Sequence, residues 1–273
     1  MTTPVPPRLI ACDLDGTLVR HDGTVSRRTV AVFAKLEEAG VPFVFVTGRP
    51  PRLMEQIAVA FDPRGTASCP RAVCSNGAYD YDLRARAVVA EYAIDPATLV
   101  KVAQGLRAAI PGIGLAVEYA DALAADPLYE PWDWDEGVTV QRPDEDELWL
   151  RPAPKLVGRH PRLSADELLA LAEPAVSDLV TVYHSNGLRL VEAVAHGVSK
   201  AEGLARHAAG LGVTAEHVMA FGDMPNDLSM LRWAGRSYAV ANAHPSVLAT
   251  ADDVVGSNEE DGVAVFLEEL LGL

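Results

Sequence analysis

Two aspartates one residue apart, Asp13 and Asp15, stand in the run Asp13-Leu14-Asp15-Gly16-Thr17, directly after the apolar stretch Leu9-Ile10-Ala11-Cys12. On an extended chain, residues i and i+2 point to the same side, so both carboxylates can face one cavity. Gly16 permits a sharp turn just beyond them. A second acidic group, Gly222-Asp223-Met224-Pro225-Asn226-Asp227, follows the apolar run Val218-Met219-Ala220-Phe221. Carboxylates gathered in this way suit magnesium, which takes a few oxygen ligands and keeps several waters or phosphate oxygens. Lys200 supplies the opposite charge. Ser199 and Glu202 form a capping box around it, which sets its ammonium beside the positive end of a helix, a ready place for phosphate. Thr47, Gly48 and Arg49 follow a third apolar run, Pro42-Phe43-Val44-Phe45-Val46. Taken singly, each group has a plainer reading. Acids and glycine are common in turns, Thr47-Gly48-Arg49 can merely cap a helix, and Lys200 can be a solvated lysine. Their weight lies in four such groups occurring together, each at the end of an element.

The elements that must position them alternate. Leu9–Cys12, Pro42–Val46 and Ala72–Cys74 read as strands that are apolar throughout, as a parallel sheet covered on both faces requires. Between them, Thr29–Leu36 has helical spacing of Val30, Phe33, Ala34 and Leu36, and a second helix runs from about Pro51 to Phe61. Strand and helix alternating in this order predict an α/β fold with a doubly wound, Rossmann-like parallel sheet. Ligands of such sheets bind beyond the carboxyl ends of the strands, where Asp13, Thr47 and Asp223 fall. The alternation fades from about Asp82 to Val194 and resumes at Ser199. The expected organisation is therefore a core of residues 1–82 and 195–273, with an inserted α+β unit over 83–194. Within the insert, Ser164–Leu171 reads as a helix opened by a Ser164/Glu167 capping box. Val180–Tyr183 and Leu188–Val191 read as a hairpin turning at Asn186-Gly187. Downstream, helices are expected from Ser199 to about Ala209, from Pro225 to Trp233 and from Val263 to Leu271, with strands at Val218–Phe221 and Ser237–Val240.

Composition narrows the partners. Against 23 Lys and Arg stand 38 Asp and Glu, a formal net charge of −15, which argues against a nucleic-acid partner. No apolar run approaches the ~18 residues that would span a bilayer, so no membrane is expected. The start, MTTPVPPR, does not read as a signal peptide. Three cysteines, Cys12, Cys69 and Cys74, read as reduced thiols of a cytoplasmic protein. At −15 the chain repels an anionic substrate unless local cations neutralise the pocket, a task for magnesium, Lys200 and Arg49. The acidic stretch Glu118–Glu147 reads as a solvated face. Trp132, Trp134 and Trp149 read as core or interface, and His184 and His196 as structural. Glu192 comes just before the chain re-enters the core and is placed where it could face the cleft.

Together, Ile10–Thr17, Val44–Arg49, Ser199-Lys200 and Phe221–Asp227 resemble the four motifs of the haloacid dehalogenase (HAD) superfamily of phosphotransferases. Ser75-Asn76-Gly77-Ala78 and Asn242-Ala243 further resemble its Cof-like, type IIB sugar-phosphatase branch, as does a large insert of the C2 cap type. The resemblance covers about three-fifths of the chain and shows no departure in the four motifs. It implies a magnesium-dependent phosphatase for a small phosphorylated metabolite, such as a sugar phosphate. By resemblance, Asp13 is the nucleophile, Asp15 the general acid and base, and Thr47 and Lys200 hold the transferring phosphoryl group. Asp13, Asp223 and Asp15, the last through its carbonyl, are the metal ligands, with Asp227 and Asn226 behind them. Gly48, Arg49, Asn76 and Asn226 are the remaining candidates for substrate or phosphate contact. A monomer or small homo-oligomer is expected. Two rivals stay open: a phosphomutase, which returns the phosphoryl group to substrate, and a non-catalytic module that binds a phosphorylated ligand.

Overall fold

The computed structural model describes residues 7–61, 71–131, 135, 138–184 and 189–272. Fourteen strands occur among them: β1 (Leu9–Cys12), β2 (Phe43–Val46), β3 (Arg71–Cys74), β4 (Tyr79–Asp82), β5 (Ala87–Glu91), β6 (Gly114–Glu118), β7 (Leu123–Ala125), β8 (Val140–Gln141), β9 (Lys155–Arg159), β10 (Val180–Tyr183), β11 (Leu190–Ala195), β12 (Val218–Gly222), β13 (Arg236–Val240) and β14 (Asp253–Val255). The helices are α1 (Arg27–Glu38), α2 (Glu55–Phe61), α3 (Pro96–Ala109), α4 (Glu145–Leu148), α5 (Ala165–Val176), α6 (Lys200–Gly210), α7 (Leu228–Trp233), α8 (Pro245–Leu248) and α9 (Gly262–Leu271).

Two sheets form. The first has eight strands in the order β14-β13-β12-β1-β2-β3-β4-β5. It is parallel from β14 to β3 and antiparallel across β3, β4 and β5. β1 lies between β12 and β2, so the ends of these three strands meet at one edge. The second sheet has six strands in the order β10-β11-β9-β6-β7-β8, antiparallel except between β7 and β8. The α/β class and Rossmann-like core read from the sequence are thus present, with a separate mixed α+β unit.

The first sheet's core explains why β2 sits where it does. Phe33 of α1 packs edge-on against Phe43 at 4.7 Å, and Phe45 meets Phe61 of α2 at 4.8 Å. Phe33 and Phe45 are fully buried, each contributing on the order of 1.5–3 kcal/mol, while Phe43 and Phe61 are half-buried against them. The buried stripe of α1 is Thr29, Val32, Phe33 and Leu36, an i, i+3, i+4, i+7 face. Ala34, which the sequence places on that stripe, is exposed. The helix expected over Pro51–Phe61 is a 3-10 turn, Pro51–Met54, leading into α2. The helix expected over Pro225–Trp233 likewise opens as a 3-10 turn, Pro225–Asp227, before α7. α5 carries the full capping box at Ser164 and Glu167 and runs further than expected, to Val176. β11 begins at Leu190 and continues to Ala195, opposite β10. The expected turn Asn186-Gly187 lies outside the described residues, as do Cys69, Trp132 and Trp134.

A backbone bond ties the two units together: the Arg52 amide donates to the Ala120 carbonyl at 3.0 Å. Within the second unit, Ile94 and Ala153 exchange hydrogen bonds at 2.9 and 3.1 Å.

Candidate active site

Asp13 follows β1 and is held there by its amide, which donates to the Phe221 carbonyl at 3.0 Å. It is buried, as are Asp223, Asp227 and Lys200. The Lys200 ammonium donates to Asp13 Oδ1 and to Asp227 Oδ1, both at 2.6 Å. Ser199 caps α6 through the Glu202 amide, which fixes the helix start carrying Lys200. The other oxygen of Asp227 accepts from the amides of Asp223 at 3.0 Å and Met224 at 2.9 Å, so Asp227 orders its own loop. Asp223 Oδ1 accepts from the Thr17 hydroxyl at 3.2 Å. Gly16, at φ +82°, closes against this group: a Cβ there would stand 2.2 Å from Asp223 Oδ2.

Asp13, Asp223 and Asp227 each bring a carboxylate oxygen within 4.8 Å of the others. Three buried carboxylates face a single ammonium. Burial pushes the Asp13 carboxyl up from its ordinary 3.8 to about 7 against the pull of Lys200, with Asp227 and Asp15 adding repulsion. Burial also drives Asp223 well above its ordinary value, and Asp13 and Asp227 reinforce the shift. A site that disfavours its own negative charge in this way is suited to a further cation. The all-oxygen donor set fits a hard divalent ion.

Thr47 lies fully buried at the end of β2, its amide donating to the Val73 carbonyl at 2.8 Å. Its Oγ1 accepts from the Arg49 amide at 3.0 Å, which leaves the hydroxyl proton to donate elsewhere. Arg49 grips Asp15 with both ends of its fork, Nε to Oδ2 at 2.7 Å and Nη2 to Oδ1 at 2.5 Å. Thus Asp13, Asp15, Thr47, Arg49, Lys200, Asp223 and Asp227 come to one edge of the first sheet, each at a strand or helix end.

The remaining sequence candidates are engaged differently. Asn226 Nδ2 donates to Asn76 Oδ1 at 2.9 Å, and Asn76 Nδ2 reaches Glu192 Oε2 at 3.4 Å. These two amides therefore bridge loops of the first sheet to β11. The Gly48 carbonyl accepts from Lys155 Nζ at 3.0 Å. Asn242 Nδ2 donates to the Gly16 carbonyl at 2.8 Å and so steadies the turn behind Asp15. His196 is exposed, and buried His184 pairs with Asp166 at 2.9 Å.

The acidic stretch is not uniformly solvated. Glu118, Asp126 and Asp135 are buried. Glu118 pairs with Arg52 at 2.9 Å and Lys155 at 2.6 Å, and Asp126 with Arg107 at 2.9 Å. Each partner comes from outside the acidic run, which is why composition alone hides the pairing. Lys155 and Arg52 themselves escape the sequence reading. The only trace of Lys155 is a lysine opening the apolar run Leu156-Val157.

A family model described as haloacid dehalogenase-like hydrolase matches residues 10–267. The chain is 29% identical over 279 residues to pyridoxal phosphate phosphatase YbhA of Escherichia coli K12, covering 95% of this chain and 97% of that protein. It is 26% identical over 278 residues to 5-amino-6-(5-phospho-D-ribitylamino)uracil phosphatase YitU of Bacillus subtilis 168, covering 98% of each. Among solved structures it is similar to a phosphatase of the haloalkanoate (HAD) enzyme superfamily from Bacteroides thetaiotaomicron. The TM-score is 0.80 at 22% identity, covering 98% of this chain and 96% of that one. A HAD subclass IIB sugar phosphatase gives a TM-score of 0.81 at 20% identity, covering 97% of this chain and 100% of the other.

Proposed function

The chain belongs to the haloacid dehalogenase-like hydrolase family, and from that premise we propose a phosphoric monoester hydrolase that works through an aspartyl-phosphate on Asp13. The observation that carries this reading is the buried cluster of Asp13, Asp223 and Asp227 with Lys200 donating into it. Simple binding of a phosphate would favour cations around the ligand rather than three carboxylates.

Lys200 holds Asp13 by Oδ1, which leaves Oδ2 to attack phosphorus. The Asp13 oxygen forms the new bond to phosphorus as the bond to the ester oxygen breaks. Asp15 protonates that departing oxygen, then takes a proton from the water that hydrolyses the acyl phosphate and regenerates Asp13. Both Asp15 oxygens rest on Arg49 in this structure, so one must come free to carry the proton. The Thr47 hydroxyl and Lys200 hold the transferring group, whose acceleration is mostly positioning and electrostatics. Asp13, Asp223 and the Asp15 carbonyl would hold magnesium, with Asp227 behind them, and the ion would offset the charge of the phosphate.

We assign residues 83–194, which carry the second sheet as far as Val194 of β11, to the cap, and residues 1–82 and 195–273 to the catalytic core. The substrate class is a small phosphorylated metabolite, a sugar phosphate or one like those in the relatives' names, pyridoxal phosphate and a phosphorylated ribitylaminouracil. A cytoplasmic setting is proposed from the free, buried thiols of Cys12 and Cys74; no helix among the described residues is long and apolar enough to cross a membrane.

The test is phosphate release from a panel of phosphorylated metabolites, with magnesium or chelator, by wild type and Asp13→Asn. Metal-dependent release should fall about a thousandfold or more in the variant, on the order of 4 kcal/mol of barrier. Undiminished release by Asp13→Asn would sink the covalent route.

A further inference from the structure

We propose that Lys155 and Glu192, carried by the second sheet, are positioning residues for the Thr47–Arg49 turn, so that the phosphoryl grip forms only when that sheet is seated on the first. The inference rests on the phosphatase reading above and goes beyond it by assigning work to residues outside the four motif groups.

Three successive carbonyls of the turn are each held. The Thr47 carbonyl accepts from the Asn76 amide and the Arg49 carbonyl from the Ser75 amide, both at 2.9 Å. Both donors come from the loop after β3, within the first sheet. The middle carbonyl, of Gly48, accepts from Lys155 Nζ at 3.0 Å. That ammonium begins β9 and is buried, with Glu118 Oε2 at 2.6 Å and Glu192 Oε1 at 2.7 Å. Two hydrogen bonds, to the Gly48 carbonyl and Glu192, and the ion pair with Glu118 thus fix its position. Burial opposes the charge, and the two carboxylates outweigh it, so Lys155 stays protonated.

Glu192 reaches the same turn from the other side. Its Oε2 accepts from Asn76 Nδ2, and Asn76 is the residue whose amide holds the Thr47 carbonyl. Ser75 at φ +45° and Asn76 at φ +57° are both left-handed, a pair of conformations that persists only where the surroundings over-determine it. Glu192 and Asn226 both bind the Asn76 amide group and help fix it there. Displacing the turn would move the Thr47 hydroxyl and, through Arg49, the carboxylate of Asp15. Small displacements of such groups cost large factors in rate.

Removing Lys155 alone would leave carboxylates buried without their cation. The decisive variant is therefore the charge-balanced Lys155→Met with Glu192→Gln, in which Glu118 keeps Arg52. The probes are a small aryl phosphate for kcat and KM, inorganic phosphate for affinity by calorimetry in magnesium, and thermal melting for the fold. We expect kcat and phosphate affinity each to fall about tenfold or more in a folded protein. A purely structural role would lower the melting temperature and leave both quantities, per folded molecule, within about twofold of wild type, and that result overturns the proposal. If the double variant does not fold, Glu192→Gln alone is judged by the same thresholds. Wild type that binds phosphate but releases none from any ester would sink the phosphatase reading, and phosphate affinity alone would then decide this one.

Discussion

Gly16 is the position where one added carbon would disturb most of the site. Its φ of +82° already excludes most side chains, and a Cβ would lie 2.2 Å from Asp223 Oδ2. Asp223 cannot retreat freely, because its amide is tied to Asp227 and its Oδ1 to Thr17. Gly16→Ala should therefore displace a carboxylate of the buried cluster. The strain costs about 1–3 kcal/mol of stability, while the damage to cation binding is local. Titrating magnesium into the variant should show a half-saturating concentration for phosphate release raised about tenfold or more, a loss of roughly 1.4 kcal/mol. An unchanged magnesium requirement would remove Asp223 from the set of cation ligands. The same logic distinguishes Asp227 from its neighbours. Both of its oxygens are spent on Lys200 and on two backbone amides, so its first task is to hold the loop and the ammonium in place.

At the scale of elements, the clearest isolated contribution is the capping box of α5. The Ser164 hydroxyl accepts from the Glu167 amide, and the Glu167 carboxylate accepts from the Ser164 amide at 2.8 Å. Ser164→Ala should lower stability by about 1 kcal/mol in denaturant melts, with kcat unchanged. A drop in kcat would mean that α5 reaches the site by a route not visible in its contacts. That cap was legible because it is local, contained within the four residues from Ser164 to Glu167. The strands β1, β2, β3 and β12 were legible for a related reason: each carries an apolar run, after Arg71 in β3, and is followed at once by a polar residue. β5 was not, because it is an edge strand with exposed Val88 and Val89 and no buried face to impose alternation. The second sheet was legible only in part. Its strands carry Glu118, Lys155 and Glu192 indoors, and these charges break the apolar pattern. Their pairing partners lie far away in sequence, so no spacing rule could connect them. The motif groups around Asp13, Thr47, Lys200 and Asp223 were visible because each sits at a chain turn. The link from Asn76 to Glu192 was not, since it exists only once the two sheets meet.

At the scale of the whole molecule, charge and fold stability meet at the same buried cluster. The net charge of −15 already works against gathering more carboxylates in one place. Asp13, with burial raising it from 3.8 to about 7, and Asp223, raised in the same direction, make folding sensitive to pH when no cation is bound. Below the ordinary carboxylate value both the folded and the unfolded chain carry the proton, and the cluster imposes no penalty. As pH rises from there toward 7 the unfolded chain ionises while the fold resists, so the folded state binds more protons and stability falls. Above about 7 the share of Asp13 is fully present, and Asp223 adds to it in the same direction. A divalent cation competes with those protons for the same oxygens, so its stabilising effect must run the opposite way and grow with pH. Melting curves with chelator and with saturating magnesium, taken at about pH 5 and about pH 8, isolate this contribution because other titrating groups cancel in the difference. The rise in melting temperature on adding magnesium should be larger at the higher pH. Equal rises at both would mean that the cation binds elsewhere than at Asp13 and Asp223. A larger rise at the lower pH would require a site whose ligands keep their charge in acid, which this buried cluster does not provide.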